Sequence, residues 1–214
     1  MAADSAYDPR RALVDAELAR LEAQAALAWP AEARLLHELG VGGDVLEVGC
    51  GPGAALARLR PLAERLVGVE PDAELAALAR TRVPSAEVLA GRAEELPLPD
   101  GSLDAAVARY VFQHLHDPAA AARELLRVLR PGGVVAAIDV DGQLWGIAEP
   151  SFPEVAAVQA RVWRAQRDRG GDRSVGRRLP AILRRAGFAD VRITAYSYSS
   201  HELGGSKRLV HVVV

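Results

Sequence analysis

Three glycines at alternate positions follow an apolar run near the start of the sequence. The stretch VLEVGCGPGAAL, residues 45–56, places Gly49, Gly51 and Gly53 between a strand-like segment and a helix-forming one. Glycine costs conformational entropy, so its repeated use at a turn indicates positive φ angles or a ligand held close to the main chain. Two ligands fit this corner: a dinucleotide with its pyrophosphate at the helix N-terminus, or a nucleoside with its polar tail across the loop.

An acidic residue accompanies the glycine corner at the end of the second predicted strand. There the carboxylate of Glu70 can accept hydrogen bonds from both hydroxyls of a ribose in the ligand crevice. The segment Gly49-x-Gly51-x-x-Ala54 also satisfies the relaxed dinucleotide fingerprint, so these residues alone leave NAD open as the ligand. The alternative for Glu70 is an ordinary surface acid.

Two further residues have side chains suited to proton transfer. His114 comes within a turn of the fourth predicted strand, and its ring could orient a substrate or take a proton near neutral pH. Packing behind the site is the alternative for His114. Asp139, on the fifth strand, is a second candidate base. Asp139 and Asp141 should point to the same side of that strand, but no third ligand lies at a useful spacing, so we expect no metal.

Strands and helices alternate regularly through the middle of the chain. Asp117 and Pro118 are a good N-cap and first helical residue for one helix, which Pro131 and the two glycines after it should stop. Strands are predicted at 44–49, 66–70, 86–90, 103–109 and 134–140, and other helices at 54–64, 73–82, 153–168 and 177–186. This rhythm predicts an α/β fold, in which crossover helices connect parallel strands.

The two ends of the chain carry different patterns. Apolar residues at helical spacing over 11–28 predict one helix, and Pro30 should open a second, shorter one that reaches Leu39. Two β-rich runs, 190–199 and 207–214, are separated by a glycine pair and predict a C-terminal hairpin.

Length and composition predict one ordinary globular domain. The 214 residues show no repeat or long linker, half are hydrophobic, a quarter are charged, and the formal net charge is -2. This charge disfavours nonspecific nucleic-acid binding. No apolar run approaches the roughly 20 residues of a membrane helix, so we expect no membrane partner. The single cysteine, Cys50, is interpreted as a small filler of the glycine corner, and a reducing cytoplasm fits best.

Several separate blocks of sequence resemble the class I S-adenosylmethionine-dependent methyltransferases. The resemblance is strongest to the small-molecule branch that is similar to the ubiquinone and menaquinone methylases, and it covers nearly the whole chain. The blocks are VLEVGCGPG at 45–53, VGVEPD at 67–72, AEELPLPDGSLD at 93–104, ARYVFQHLHDP at 108–118 and RVLRPGG at 127–133. These later blocks favour S-adenosyl-L-methionine over NAD as the cofactor.

The resemblance implies a Rossmann-like methyltransferase fold. Its sheet should be mostly parallel and seven-stranded, with a C-terminal antiparallel hairpin and N-terminal helices. We expect a single domain over 1–214, with a helical cap at 1–40 and a substrate cap at 142–179, as a monomer or homodimer.

The resemblance also implies a set of cofactor-binding residues. The glycines would let the methionine moiety lie against the loop, Glu70 would hold the ribose, and Glu47 would lie near the ammonium group. The alternative for Glu47 is a carboxylate that ties down loop amides. The implied set is Glu47, Gly49, Gly51, Gly53, Glu70, Pro71, Arg92, Ala93, Glu94, Arg109 and His114.

One position departs from the family pattern. Arg92 stands where relatives usually have an aspartate that accepts a hydrogen bond from the adenine amino group. Because arginine cannot accept, three arrangements stay open. Glu94 or Glu95 supplies the acceptor, Arg92 stacks on the adenine, or shape alone holds the base. A surface charge is the plain alternative for Arg92.

Substrate specificity should come from residues outside the cofactor half. Between residues 161 and 185 there are nine arginines against two aspartates, an excess that could attract an anionic acceptor or simply form a solvated helix face. Arg109 would offer its side chain to the cofactor's carboxylate or to the substrate cavity. The candidate substrate residues are Gln24, Trp29, Tyr110, Gln113 and Trp145.

The reaction implied is methyl transfer to a small-molecule acceptor. The sulfonium donor is already activated, so positioning the acceptor in line with the methyl group can supply most of the acceleration. His114 or Asp139 would take a proton only if the acceptor is a hydroxyl. The alternatives are a methyltransferase-like protein that keeps the cofactor but catalyses another reaction, such as a cyclisation, and a nonenzymatic binding subunit.

Overall fold

The core of the protein is a parallel β-sheet. The computed structural model describes residues 15–144 and 152–195, and within them five strands pair in the order β3-β2-β1-β4-β5, every pair parallel. The strands are β1 (Gly43–Val48), β2 (Ala63–Glu70), β3 (Glu87–Ala90), β4 (Leu103–Arg109) and β5 (Leu129–Ile138). The chain builds outward from β1 in one direction and then returns to its other side. In such sheets ligands bind at the carboxyl ends of the strands, beside this switch point.

Helices cover both faces of the sheet. They are α1 (Asp15–Leu39), α2 (Ala54–Leu59), α3 (Ala73–Arg82), α4 (Pro118–Val128), α5 (Pro153–Arg167) and α6 (Leu179–Ala186). Alternate residues of β1 point to opposite faces, so Leu46 packs in a cluster with residues of α4 and α6, and Val45 with residues of α1, α2 and α3. The result is a three-layer α/β domain, as the alternating pattern predicted.

The N-terminal segment forms one helix where the sequence predicted two. Pro30 lies inside α1, which runs without a break from Asp15 to Leu39. Ala25, Ala28 and Leu36 are buried along this helix, at positions that share one face. Packing of that face on the sheet holds the helix through a proline that lacks a backbone N–H.

Strand β5 begins earlier than the sequence predicted. It starts at Leu129, so Pro131 and the glycines after it belong to the strand rather than preceding it. The register with β4 shifts between Leu103 and Ala105, and Gly132 there has a φ of 85°. An irregularity of this kind accommodates a proline and a left-handed glycine in β5, the outermost strand among those described.

The prediction of seven strands with a C-terminal hairpin is wrong where the described residues test it. They form five parallel strands, and residues 190–195 run without strand pairing. Ile193 is 69% exposed, and the Val191 carbonyl accepts a hydrogen bond from the Arg184 side chain instead of from a neighbouring strand. Backbone groups satisfied in this way provide no ladder for a strand. The rest of the predicted hairpin lies outside the described residues.

Candidate cofactor-binding site

A cavity of about 480 Å³ lies at the carboxyl ends of the strands. Its walls come from the segments that follow all five strands, from the side of α1 that carries Arg20, Leu21 and Gln24, and from Arg173. This is the crevice that the strand order predicts for an open α/β sheet. One cavity therefore brings together residues spread over most of the described chain.

The three glycines of the corner all adopt left-handed backbone conformations, for different reasons. Gly49, Gly51 and Gly53 have φ angles of 64°, 51° and 82°. A Cβ on Gly49 would lie 2.7 Å from Val111 Cγ2, and one on Gly53 would lie 3.1 Å from Ala79 Cα. A Cβ on Gly51 would meet no atom within 4 Å. Gly51 therefore leaves open space in the cavity wall, whereas Gly53 lets α2 pack on α3 and does not line the cavity.

Glu70 connects the end of β2 to the glycine corner. Its Oε2 accepts a hydrogen bond from the Gly51 N–H at 2.9 Å, and its Oε1 accepts one from the Asp72 N–H at 3.1 Å. Burial raises the pKa of this carboxyl group, against the lowering effect of the two N–H donors. Each carboxylate oxygen can accept more than one hydrogen bond, so Glu70 keeps capacity for the hydroxyls of a ribose.

Glu47 has a buried oxygen that lacks a partner. Its Oε2 has no hydrogen-bond partner among the described residues, although the side chain lines the cavity. Burial raises the pKa of Glu47 to about 8, while the charge of Arg109 lowers it and those of Glu32 and Glu70 raise it. The alternative role for Glu47 was to accept hydrogen bonds from loop amides. No loop amide among the described residues donates to Oε2, so this oxygen does not support that role. A cationic donor in the cavity would satisfy the orphaned oxygen.

The segment after β3 carries a positive and a negative side chain. Its Arg92 is the residue at which the sequence departs from the family pattern. Arg92 and Glu94 line the cavity, with Arg92 Nε 3.7 Å from Glu94 Oε2. Ala93 is buried between them on the same wall, and Glu95 does not line it. Of the two glutamates considered as acceptors for an adenine amino group, only Glu94 therefore has access to the cavity.

Arg109 is occupied by a partner that the sequence did not predict. Its Nε donates to both oxygens of Glu32, at 2.9 and 2.8 Å, and Glu32 is buried on α1. Burial raises the pKa of Glu32, and the guanidinium beside it opposes that rise. The Arg109 side chain therefore connects α1 to β4. Arg109 also lines the cavity, so the prediction that its side chain serves a cofactor carboxylate or the substrate cavity stays a prediction.

The residue after Arg109 adopts a conformation that is unusual for its type. Tyr110 has a φ of 57°, in a region that bulky side chains rarely adopt. Its ring lies 4.5 Å from the Arg109 guanidinium, a cation–π distance. Tyr110 also lines the cavity, so backbone strain coincides with the site.

The polar groups after β4 and β5 form one connected cluster. Gln166, on α5, donates from Nε2 to the Gln113 carbonyl at 2.8 Å and lies 3.4 Å from His114 Nδ1. Its Oε1 accepts from Arg173 Nη1 at 3.3 Å. These partners orient the Gln166 amide with its NH₂ towards His114, so Nδ1 is the acceptor and Nε2 carries the ring proton.

His114 is a neutral donor in this arrangement. Burial, together with the charge of Arg173, lowers the pKa of His114 to about 4. The His114 ring is therefore uncharged near neutral pH. For Nε2 to accept a proton, the ring would first have to adopt its other neutral tautomer, with the proton on Nδ1.

Asp139 is the other candidate base, and it does not line the cavity. Its Oδ2 accepts from the Gln113 N–H at 3.0 Å and its Oδ1 from the Val140 N–H at 2.8 Å. Burial raises the pKa of Asp139 to about 7. These contacts favour a positioning role, in which Asp139 holds the turn after β4 against the end of β5. Asp141 pairs separately with Arg177 at 2.7 Å.

The structure brings most of the predicted site residues together. Trp29 packs against the core beneath α1 instead of lining the cavity, and Trp145 lies outside the described residues. No cluster of three or more metal-binding side chains occurs in 15–144 and 152–195. The predicted residues that line the cavity are Gln24, Glu47, Gly49, Gly51, Glu70, Pro71, Arg92, Ala93, Glu94, Arg109, Tyr110, Gln113 and His114.

Four residues with functional contacts were not predicted individually. Glu32 gave one signal, a charged residue on the buried face of an amphipathic helix. Arg173 was one of nine arginines in a basic segment, and only its fold position distinguishes it. Arg20 and Gln166 carried no signal in the sequence.

A parallel sheet in this order, with a glycine turn after β1 and an acid ending β2, is typical of α/β folds that bind nucleotides at the carboxyl ends of the strands. Residues 46–137 match the family model described as "Methyltransferase domain". An Aquifex aeolicus S-adenosylmethionine-dependent methyltransferase structure is 22% identical, with a TM-score of 0.65 over 88% of this chain and 93% of that chain, which supports the fold.

Two curated proteins are similar to parts of this chain. A Mycolicibacterium smegmatis protein, named "Probable S-adenosylmethionine-dependent methyltransferase", is 44% identical over 101 residues, 47% of this chain and 39% of its own length. An uncharacterized transposon protein of Streptomyces fradiae is 34% identical over 154 residues, 69% of this chain and 44% of its own length. The chain thus spans less than half the length of either relative.

Together these findings support a class I S-adenosylmethionine-dependent methyltransferase. The family and its members imply S-adenosyl-L-methionine as the cofactor. The orphaned Glu47 oxygen, the Glu70 carboxylate and the open space at Gly51 are chemically suited to its ammonium, ribose and methionine parts.

Proposed function

We propose that the protein transfers a methyl group from S-adenosylmethionine to a small-molecule acceptor. The observation that carries this proposal is the buried Glu47 Oε2, which faces the cavity without a hydrogen-bond partner in the described part of the chain. A buried acceptor left without a donor is unfavourable, and the ammonium group of the cofactor would supply that donor.

The cofactor would lie along the β3-β2-β1 side of the sheet. Glu70 would accept from the ribose hydroxyls while it keeps the Gly51 N–H in place. Glu94 would accept from the adenine amino group, because the 3.7 Å contact with Arg92 is the one ion pair of its carboxylate within the described part of the chain. Gly51 would let the methionine part approach the main chain.

The acceptor would lie on the β4-β5 side. Gln113 and His114 line the cavity there, and His114 Nε2–H would donate a hydrogen bond to the acceptor. Bound S-adenosylmethionine supplies an electrophilic methyl group on a good leaving group, so a strong base is not required. The chain's part is to align the acceptor and to exclude water. Helix α1, the loop that carries Arg173 and the proposed caps at 1–40 and 142–179 would close this side.

One relative supports an acceptor outside nucleic acids. A Yersinia pestis protein named "Malonyl-[acyl-carrier protein] O-methyltransferase" is 33% identical over 108 residues, 47% of this chain and 40% of that protein. The quinone-methylase-like branch is the narrower form of the proposal, and it rests on the sequence blocks. Among the helices described, none has the length and apolar content to cross a membrane.

Calorimetry of cofactor binding tests the proposal. We expect S-adenosylmethionine and S-adenosylhomocysteine to bind the unmodified chain, and Glu70→Gln to weaken both at least tenfold, because a neutral amide accepts less strongly and offers fewer acceptor sites. Glu64→Gln is the matched control, since Glu64 lies on the same strand and is exposed. Absence of binding, or tighter binding of NADH, would overturn the proposed function.

A further inference from the structure

Arg173 places a positive charge in the cavity that forms no direct ion pair with a carboxylate among the described residues. Its Nε is buried without a hydrogen-bond partner, and the side chain's one hydrogen bond in the described structure is the 3.3 Å contact with Gln166. By contrast, Arg109, Arg177 and Arg178 each pair with a carboxylate at 2.7 to 2.8 Å. Arg173 has no such pair among the described residues.

A second guanidinium lines the same cavity. Arg20, on α1, donates to Gln24 Oε1 at 3.0 Å and contributes to the cavity wall. Burial lowers the pKa of Arg173, and the charge of Arg20 lowers it further, while Asp139 acts in the opposite direction. Two cations held near one another are stabilised when an anion binds between them.

The backbone around Arg173 fixes this charge beside β4 and β5. The Gly142 N–H donates to the Arg173 carbonyl at 2.6 Å, and the Asp172 N–H donates to the Gln113 carbonyl at 2.9 Å. A Cβ on Gly142 would lie only 2.9 Å from the Arg173 carbonyl oxygen. The loop therefore sits closely on the ends of these strands, and its arginine is positioned by the fold.

Arg173 lies near the ends of β4 and β5, whereas the nucleoside part of the cofactor is proposed to lie near the ends of β2 and β3. Glu70 ends β2 and Arg92 follows β3, whereas Arg173 is held against Gln113 after β4 and Gly142 after β5. The strand order puts β3 and β5 four places apart, or roughly 19 Å at about 4.8 Å per strand. Its position therefore suits the acceptor.

We propose that Arg173 binds an anionic group, a carboxylate or a phosphate, on the methyl acceptor. The planar guanidinium can form two parallel hydrogen bonds to either group, and the Nε–H, which lacks a partner among the described residues, would be one of the donors. This inference rests on the proposed function, because it assigns the acceptor to the β4-β5 side of the cavity. The competing occupant is the carboxylate of the cofactor itself.

The test separates the acceptor from the cofactor. Calorimetry or ligand-observed NMR would measure benzoate, phenyl phosphate and the uncharged benzamide against the chain saturated with S-adenosylhomocysteine. We expect at least one anion to bind tenfold or more tighter than benzamide, and Arg173→Gln to abolish that preference. Arg173→Lys should retain part of it, and Arg169→Gln, an exposed arginine of the same segment, should retain all of it.

S-adenosylhomocysteine affinity distinguishes the outcomes. Under the inference it changes less than twofold in Arg173→Gln, which also shows that the variant is folded. If Arg173→Gln weakens S-adenosylhomocysteine tenfold, Arg173 serves the cofactor and the inference is wrong while the proposed function stands. If the unmodified chain binds S-adenosylhomocysteine but binds benzoate, phenyl phosphate and benzamide with equal affinity, the inference is wrong and the proposed function stands. If the unmodified chain does not bind S-adenosylhomocysteine, both the function and the inference fail.

Discussion

At the scale of single residues, the cavity contains a buried ionisable group, Glu47, whose Oε2 has no hydrogen-bond partner among the described residues. Glu47 is 3% exposed, and burial raises its pKa to about 8. Near neutral pH the ligand-free protein therefore holds much of this carboxyl group protonated. A cationic ligand would favour the ionised form, so cofactor binding should release a proton at Glu47.

The raised pKa of Glu47 predicts a specific dependence of stability on pH. The pKa of Glu47 lies near its usual value of 4.5 in the unfolded chain and at about 8 in the folded protein, so between these values the folded state holds the additional proton. Stability of the ligand-free protein should therefore fall as pH rises from 5 to 8, by up to about 1.4 kcal/mol per unit from this group.

Chemical denaturation of Glu47→Gln across this pH range measures the contribution. We expect the variant to lose less stability than the unmodified protein as pH rises. The exposed Glu64→Gln should follow the unmodified protein. Parallel curves for all three proteins would show that Glu47 titrates normally.

At the scale of elements, the buried Glu32–Arg109 pair connects α1 to the end of β4. The two residues are 77 positions apart in the chain, with side chains 5% and 10% exposed. Removing one member of a buried pair leaves the other charged and uncompensated, which costs about 3–5 kcal/mol. The pair therefore makes the position of α1, and with it one wall of the cavity, depend on β4.

Urea denaturation of Glu32→Ala tests this connection. We expect the free energy of unfolding to fall by about 3–5 kcal/mol. Glu38→Ala changes an exposed residue on the same helix and should alter stability by less than about 0.5 kcal/mol. In the double variant Glu32→Leu and Arg109→Met, part of the loss should be recovered, because no charge stays buried. Equal stability of Glu32→Ala and Glu38→Ala would contradict the proposed role of the pair.

At the scale of the whole molecule, the proposed site lies at the carboxyl ends of the strands. The segments that follow the strands line the cavity, whereas the segments that precede them lie at the amino ends. Hydrogen exchange should therefore slow on addition of S-adenosylhomocysteine at 49–55, 70–72 and 91–95. Exchange at 83–86 and 99–102, which precede β3 and β4, should change little. Equal slowing of hydrogen exchange at both ends of the strands, or no slowing near the glycine corner, would contradict a localised site.

Much of the architecture could be predicted from local sequence patterns. Helix α3 was predicted at its observed bounds, 73–82, from the alternation of strands and helices, and in the structure Asp72 caps it by accepting from the Glu74 and Leu75 N–H groups. The glycine corner was predicted because left-handed turns leave a compositional signature. The continuous helix through Pro30 was not, since packing of its buried face outweighed a local preference.

The sequence by itself determined the alternation of elements, the glycine turn and the acid at the end of β2. These depend on neighbouring residues and on a strand period of two. Only the tertiary structure decided that Arg109 pairs with Glu32, that Gln166 orients His114, and that Arg173, of the nine arginines between 161 and 185, lines the cavity. Each of those contacts joins elements far apart in the chain. Their partners are chosen by how helices and loops pack on the sheet, which local residue spacing does not encode.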